Sequence, residues 1–264
     1  MDFTESQIHR YARHILLQEV GGVGQEKLLK AKVLVIGAGG LGSPLILYLA
    51  AAGVGTIGVV DNDTVDISNL QRQIAHTSDR IGTPKTASAK QAVAAINPDV
   101  TVIEHNVRLT VDNARTLIGG YDVVADGSDN FATRFLLNDA CFFAKKTLVS
   151  AAVLRFDGQL STFKPHAGGP CYRCLYPEPP PPGQIPSCDE AGVLGAVAGV
   201  LGTLQATEVL KEILGIGESM AGRLLIYDAL SAAMRTVKVK PDPACTLCSP
   251  QAAIKDLSLH RPPK

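Results

Sequence analysis

A short apolar run, Lys32 to Ile36 (KVLVI), stops at a glycine cluster, Gly37, Gly39, Gly40 and Gly42, and the apolar segment SPLILYLAAAG follows at once. An apolar run of this length closed by glycine reads as a buried parallel strand. Pro44 suits a first helical turn and Gly53 a C-terminal cap, so a helix follows the loop. Thr56 to Val60 reads as a second strand that ends in acid at Asp61. Lys85 to Ile96 is helical until Asn97-Pro98, Val102 to Glu104 and Asp122 to Ala125 are further strands, and Thr110 caps a helix between them. Alternation of this kind predicts a Rossmann-like α/β fold whose mostly parallel sheet has right-handed crossovers.

Upstream of this unit, Thr4 and Gln7 have capping-box spacing before Ile8, Tyr11, Ile15 and Leu16, so an amphipathic helix opens the chain and ends before Gly21. From Thr147 the character changes. Leu148 to Leu154, Leu160 to Phe163, Leu224 to Tyr227 and Thr236 to Val239 are strand-like, and Asp157-Gly158 suggests a hairpin turn. These strands are expected to extend the sheet in antiparallel fashion. The PEPPPPGQIP stretch from Pro177 to Pro186 forms a connector with no regular element. The reading is one unit over 1–264, with a nucleotide-binding half at 1–146 and an antiparallel, metal-binding half at 147–264.

Lys plus Arg and Asp plus Glu both number 25 in the 264 residues, and the hydrophobic content is 46%. The chain can bury a substantial core, and its zero net charge gives no bulk attraction to nucleic acid or to membranes. Phosphate chemistry must then come from locally placed cations. The first residues, MDFTESQIHRYARHILLQ, fit neither a signal nor a transit peptide, which predicts a cytoplasmic protein. Ala191 to Leu204 is the most apolar segment, but Gln205, Glu208, Lys211 and Glu212 interrupt it before a membrane-spanning length of about 20 residues accumulates.

Gly37 to Gly42 follows a strand and opens a helix, so its backbone can approach a phosphate while the helix N-terminus faces the negative charge. Asp61 stands where an acid can accept hydrogen bonds from ribose hydroxyls. What points to ATP is the polar segment after it, DNDTVDISNLQRQ, with Asp63, Ser68, Asn69, Gln71, Arg72 and Gln73 as candidate contacts, and Lys85 at the head of a helix. Reaction at an α-phosphate spreads negative charge that Arg72, Lys85 and a magnesium ion can stabilise. The run ADGSDN places Asp126, Asp129 and Asn130 at the ligand-binding edge of an open sheet. Asp129 either holds magnesium or caps the next helix.

Four of the six cysteines form two CxxC pairs, Cys171 with Cys174 and Cys245 with Cys248, a tetrahedral thiolate set suited to structural zinc. Such a closed site leaves no position for substrate. Cys188 stands apart, before Asp189-Glu190, where a thiol is either an acyl acceptor activated near a helix N-terminus or a passive loop residue. Cys141 shares a helix with Phe135, Phe142 and Phe143 and reads as a buried, inert thiol.

Together, RYARHILL from Arg10, VLVIGAGGLGSP from Val33, VVDNDTVDISNLQRQI from Val59, DGSDN from Asp126, CYRC from Cys171 and PSCDEAGVLG from Pro186 resemble the MoeB/ThiF/HesA family, the bacterial relatives of ubiquitin-activating enzymes. Within it the branch serving molybdopterin synthesis looks most similar. The resemblance implies an adenylyltransferase that joins AMP to the C-terminal carboxylate of a ubiquitin-like sulfur-carrier protein ending in Gly-Gly. It also implies a homodimer in which Arg13 enters the partner's nucleotide site, with Asp61 on ribose, Asn69, Arg72 and Lys85 on phosphates and Asp129 on magnesium. The helix expected over Ala191 to Leu214 would lie near the substrate tail. Some relatives carry a rhodanese domain; this chain has 16 residues after Cys248, so a separate sulfur donor is expected. The second knuckle has Thr246 and Ser249 where the family usually has proline and glycine, with all four ligands kept. Thiamine-type carriers remain alternatives, as do a nicotinamide-dependent oxidoreductase, which the glycine loop and Asp61 alone would also fit, and an inactive binding subunit.

Overall fold

A computed structural model describes residues 3–181, 183–184 and 188–261, apart from the side chains of Cys188 and Asp189. In chain order its elements are α1 (Glu5–Ile15), α2 (Gly21–Lys30), β1 (Lys32–Ile36), α3 (Gly42–Ala51), β2 (Thr56–Val60), α4 (Lys85–Ile96), β3 (Thr101–His105), α5 (Val111–Gly119), β4 (Val123–Asp126) and α6 (Phe131–Ala144). There follow β5 (Thr147–Leu154), β6 (Asp157–Phe163), α7 (Tyr172–Leu175), α8 (Cys188–Ala191), α9 (Gly195–Leu214), β7 (Arg223–Asp228) and β8 (Ala233–Lys238). One eight-stranded sheet runs β3-β2-β1-β4-β5-β6-β7-β8. The first five strands in that order are parallel and β5 through β8 are antiparallel. The change of sense falls on β5, which pairs β4 in parallel and β6 in antiparallel fashion.

Parallel strands must be covered on both faces. Val33, Val35, Ile57 and Val59 face one layer, where they pack with Leu45 and Leu49 of α3 and Leu201 and Val209 of α9. Leu34, Ile36 and Val124 face the other, with Ile118 of α5 and Phe135 and Leu137 of α6. The small residues of α9 let it approach α3: a side chain at Gly202 would stand 2.4 Å from the Leu41 carbonyl.

Thr4 and Gln7 form the capping box of α1, and α4 spans Lys85–Ile96, both as the sequence predicts. Two expectations need correction. The hairpin between β5 and β6 turns at Arg155 and Phe156, because Leu154 pairs Asp157 and Val153 pairs Gly158. Arg155 takes the left-handed conformation itself, at φ 55, where the sequence suggested Gly158. The helix expected from Ala191 to Leu214 is also two elements. Gly192 at φ 78 ends α8, and residues 192–194 pair with Arg155, whose amide donates to the Gly192 carbonyl at 3.1 Å while its own carbonyl accepts from Leu194 at 3.2 Å. No helix among the described residues is long and apolar enough to cross a membrane.

Gly37 is left-handed, at φ 90, and the loop curls so tightly that a Cβ on Gly42 would lie 1.9 Å from the Gly37 carbonyl oxygen. Gly42→Ala is therefore expected to cost roughly 2 kcal/mol or more. At Gly199, inside α9, a Cβ meets nothing within 4 Å. Gly199→Ala should instead stabilise by about 0.5–1 kcal/mol through the lost freedom of the unfolded chain. Urea melts of the two variants check this contrast.

Candidate active site

A cavity of about 330 Å³ opens at the C-terminal edge of β1, β2 and β4, the edge where open α/β sheets take ligands. Gly37, Gly39 and Gly40 form its floor, and Asp61, Asp63, Arg72, Gln73, Lys85, Asp129 and Asn130 line its walls. Most of the residues expected to contact nucleotide are thus brought together.

Asp61 is held by backbone amides. Its Oδ2 accepts from Ala38 at 2.8 Å and its Oδ1 from Asp63 at 2.9 Å. Each oxygen keeps a further lone pair for a hydroxyl. Lys85, only 6% exposed at the start of α4, points its ammonium at Asp63, 3.0 Å away. The backbone of the same two residues pairs as well, the Lys85 amide donating to the Asp63 carbonyl at 2.9 Å. A buried ammonium with one half-open acidic partner is a cation kept dry and in reach of an anionic ligand. Arg72 donates to the Ser68 carbonyl at 3.0 Å and runs along Gly40, where a Cβ would lie 3.5 Å from its Cγ.

The ambiguity at Asp129 resolves onto its neighbour. Asn130 caps α6, its side chain accepting from the Thr133 amide at 2.9 Å, so Asp129 is released from capping and stays exposed on the cavity wall. Asp126 is buried and occupied by Ser128 and Ser150, whose hydroxyls donate to it at 2.6 and 2.8 Å. It braces the loop.

Several predicted contacts lie elsewhere. Ser68 and Asn69 are in a short helical turn, where the Ser68 amide and hydroxyl donate to Asp66 and the Asn69 side chain accepts from the Asp66 amide; neither lines the cavity. Gln71 faces outward and its carbonyl packs against Gly195 at the start of α9. Gly42 packs behind the loop. Arg13 is exposed on α1 and does not line the cavity of its own chain. The side chain of Cys188 lies outside the described residues.

Sequence reasoning missed two buried groups. Arg134, on α6, lines the cavity and donates to the Ser128 carbonyl at 2.7 Å; its position one turn after Asn130 was the available signal. His76 lies beneath the loop, its Nε2 2.9 Å from the Ala38 carbonyl and its Nδ1 2.9 Å from the Ser88 hydroxyl. A carbonyl only accepts, so the proton sits on Nε2 and Ser88 donates to Nδ1. Burial lowers the His76 pKa, with Lys85 and Arg80 adding to the effect.

Outside the lining of this cavity the four paired cysteines converge, all sulfurs within 4.8 Å of one another. The neighbouring separations are 3.9, 3.5 and 3.4 Å, close to the edge of about 3.8 Å that a tetrahedron with zinc-sulfur bonds near 2.3 Å requires. The donor set fits a metal. Cys174 is held down to about 5 by its hydrogen bond with Cys171, and burial pushes Cys248 up to about 12. The first knuckle is anchored to α6 by Arg173, which grips buried Asp139 with two bonds of 2.8 Å, and His260 closes on the same carboxylate at 2.7 Å. Burial alone would raise the Asp139 pKa, but His260 and Arg173 hold it below the usual carboxylate range. Cys141 is buried, and burial pushes its thiol well up, as befits an inert core residue.

A model of the ThiF family matches residues 11–247. The chain is 48% identical to the sulfur carrier protein adenylyltransferase of Thermus thermophilus, over 97% of this chain and 96% of that protein. It is 50% identical to the SAMP-activating enzyme E1 of Haloferax volcanii, over 94% and 91%. Among solved structures, that of E. coli MccB with ATP superposes at a TM-score of 0.75 with 22% identity, covering 93% of this chain and 75% of that one; it shows the shared fold.

The buried His76 gives a pH prediction with a definite sign. Its pKa is lowered in the folded state, while the unfolded value is near 6.5. Its contribution to stability is complete above about pH 6.5 and is lost as pH falls toward the folded value. Thermal melts across that window should show a steeper acid-side decline for the native chain than for His76→Gln. His105 and His166 are lowered by burial too, so the difference between the two proteins isolates His76.

Proposed function

The chain belongs to the ThiF family, and on that premise we propose that it adenylates the C-terminal glycine carboxylate of a ubiquitin-like sulfur-carrier protein, releasing pyrophosphate. The observation that carries this reading is the convergence of the glycine loop, Asp61, Arg72, Lys85 and Asp129 on one cavity at the end of the parallel strands. A hydride-transfer site needs the loop and the acid but not the cations; a triphosphate needs both. The names of the two relatives above support the same choice over a dehydrogenase.

In the proposed arrangement Asp61 takes the ribose hydroxyls, the loop amides and the N-terminus of α3 face the phosphates, and Arg72 and Lys85 balance charge at the α-phosphate. Gln73, with its buried amide oxygen unpartnered among the described residues, faces the same space. Magnesium held by Asp129 would neutralise phosphate oxygens. The substrate carboxylate is the nucleophile, so no general base is required and the protein's work is positioning and charge neutralisation. Arg13, exposed and outside the lining of its own chain's cavity, is assigned to the partner's site in a homodimer. Ile8, Leu16 and Leu17, exposed on and just after α1, are the apolar surface such an interface would cover.

The cysteine set is assigned to structural zinc, which fastens the segment around Cys245 and Cys248 to the sheet. The chain is read as one unit, its nucleotide half at 1–146 and its zinc half at 147–264. Among carriers, that of molybdopterin synthase is the proposed substrate because the sequence resembles that branch most, with a thiamine-type carrier as the alternative. Acyl transfer to Cys188 is a separate step that adenylation does not need.

Exchange of labelled pyrophosphate into ATP should occur only when a carrier ending in Gly-Gly is present, and the carrier that supports it identifies the substrate. Lys85→Ala and Arg72→Ala should each lower the exchange rate by about 100-fold or more, the usual scale for losing one preorganised charge; exchange that survives both would refute the assigned site. Elemental analysis should find one zinc per chain. Cys245→Ser should lose the metal and lower the melting temperature by roughly 10 °C or more.

A further inference from the structure

Among the described residues two arginines are buried, and they are treated differently. Arg173 is matched by the Asp139 carboxylate with two bonds. Arg134, 9% exposed, has no carboxylate within ion-pair distance among the described residues. One of its five N–H groups donates to the Ser128 carbonyl, and the Tyr172 phenol lies beside it. A buried guanidinium without a counter-ion is costly and is kept where an anion arrives to pair with it. Its surroundings locate that anion. Arg134 lines the large cavity and also a second, narrow recess of about 20 Å³ between β5, β6 and α7, and it is the one residue common to the two linings. Ala151 and Ala152 of β5 form the small-residue side of the recess, and Leu160, Phe163, Tyr172 and Tyr176 crowd the other.

We propose that Arg134 binds the carboxylate of the acyl substrate at the junction of the two spaces, on the opposite side of that carboxylate from the α-phosphate. This rests on the adenylation reading above and names a residue for it. Reaction joins one carboxylate oxygen to the α-phosphorus and breaks the bond to the bridging oxygen, whose electron pair leaves with pyrophosphate. No proton moves. The two reactants are both anions, and a fixed guanidinium that pairs with the carboxylate lets it approach the phosphate without carrying its repulsion unscreened. The position of the side chain follows from the sequence: one turn into α6 from the Asn130 cap, it leans back toward the helix N-terminus and the Ser128 carbonyl.

The test compares binding of a carrier that supports exchange, in its native form and with its C-terminal carboxylate converted to an amide, in the presence of a non-hydrolysable ATP analogue. The native enzyme should prefer the carboxylate by about tenfold or more, the scale of one charge-assisted hydrogen bond. Arg134→Gln, which keeps a donor for Ser128, should lose that preference while its zinc content, melting temperature and affinity for the ATP analogue stay near those of the native protein; Arg134→Lys should recover part of it. Arg134→Gln that selects the carboxylate as the native enzyme does, or native enzyme indifferent to amidation, would overturn the assignment. Failure of the native enzyme to exchange with any carrier would instead sink the adenylation reading itself.

Discussion

The backbone of Ala38 is gripped from both sides, and the cavity takes its shape from that grip. Its N–H donates to Asp61 at the end of β2, and its carbonyl accepts from the neutral ring of His76. The first bond ties the loop after β1 to the neighbouring strand, and the second ties it to the segment that leads to α4 and Lys85. Gly37 in the left-handed region and Gly42 packed against its carbonyl make the curl between them possible. Loop amides, acid and cation are therefore set by one connected set of hydrogen bonds, as preorganised electrostatics requires.

The second half of the chain closes one side of that cavity with Val153, Val193 and Ala198 and braces it from behind. Gln205 of α9 reaches across to donate to the carbonyls of Asp126 and Val149 at 2.8 and 3.0 Å, so the antiparallel half braces the ends of β4 and β5 beneath the Ser128 loop. The cysteine cluster and the Asp139 ion pair then hold the far segments to α6. The cavity and the cysteine cluster are built from separate groups, with α6 common to both: Asn130 and Arg134 sit at its cavity end and Asp139 meets Arg173 of the first cysteine knuckle.

Much of this was legible because the signals are local. Strand, glycine loop and helix over Lys32 to Gly53, the capping box at Thr4, the Lys85 helix start and the two cysteine knuckles each need only a few neighbouring residues to specify them. What escaped is set by side-chain geometry that local propensity does not rank. His76 is defined by Ala38 and Ser88, and no local pattern marks it. Asp129 and Asn130 are both good caps, so only geometry shows that Asn130 takes the helix and leaves Asp129 on the wall. The β5-β6 turn was misplaced because Gly158 is the better turn residue by propensity, yet the pairing register set by the buried faces puts Arg155 in the left-handed position. Ser68 and Asn69 both bond Asp66, and nothing in the run DNDTVDISNLQRQ shows which of its polar residues do so.

Adenylation of a carboxylate has a direct isotopic signature. A carrier whose C-terminal carboxylate contains oxygen-18, incubated with the enzyme and ATP and then released from the enzyme by a thiol nucleophile, should yield AMP that carries one labelled oxygen, because the bridging atom of the adenylate comes from the carboxylate and leaves with the phosphate. Unlabelled AMP, or label found in inorganic phosphate beside ADP, would contradict attack on the α-phosphate in this cavity.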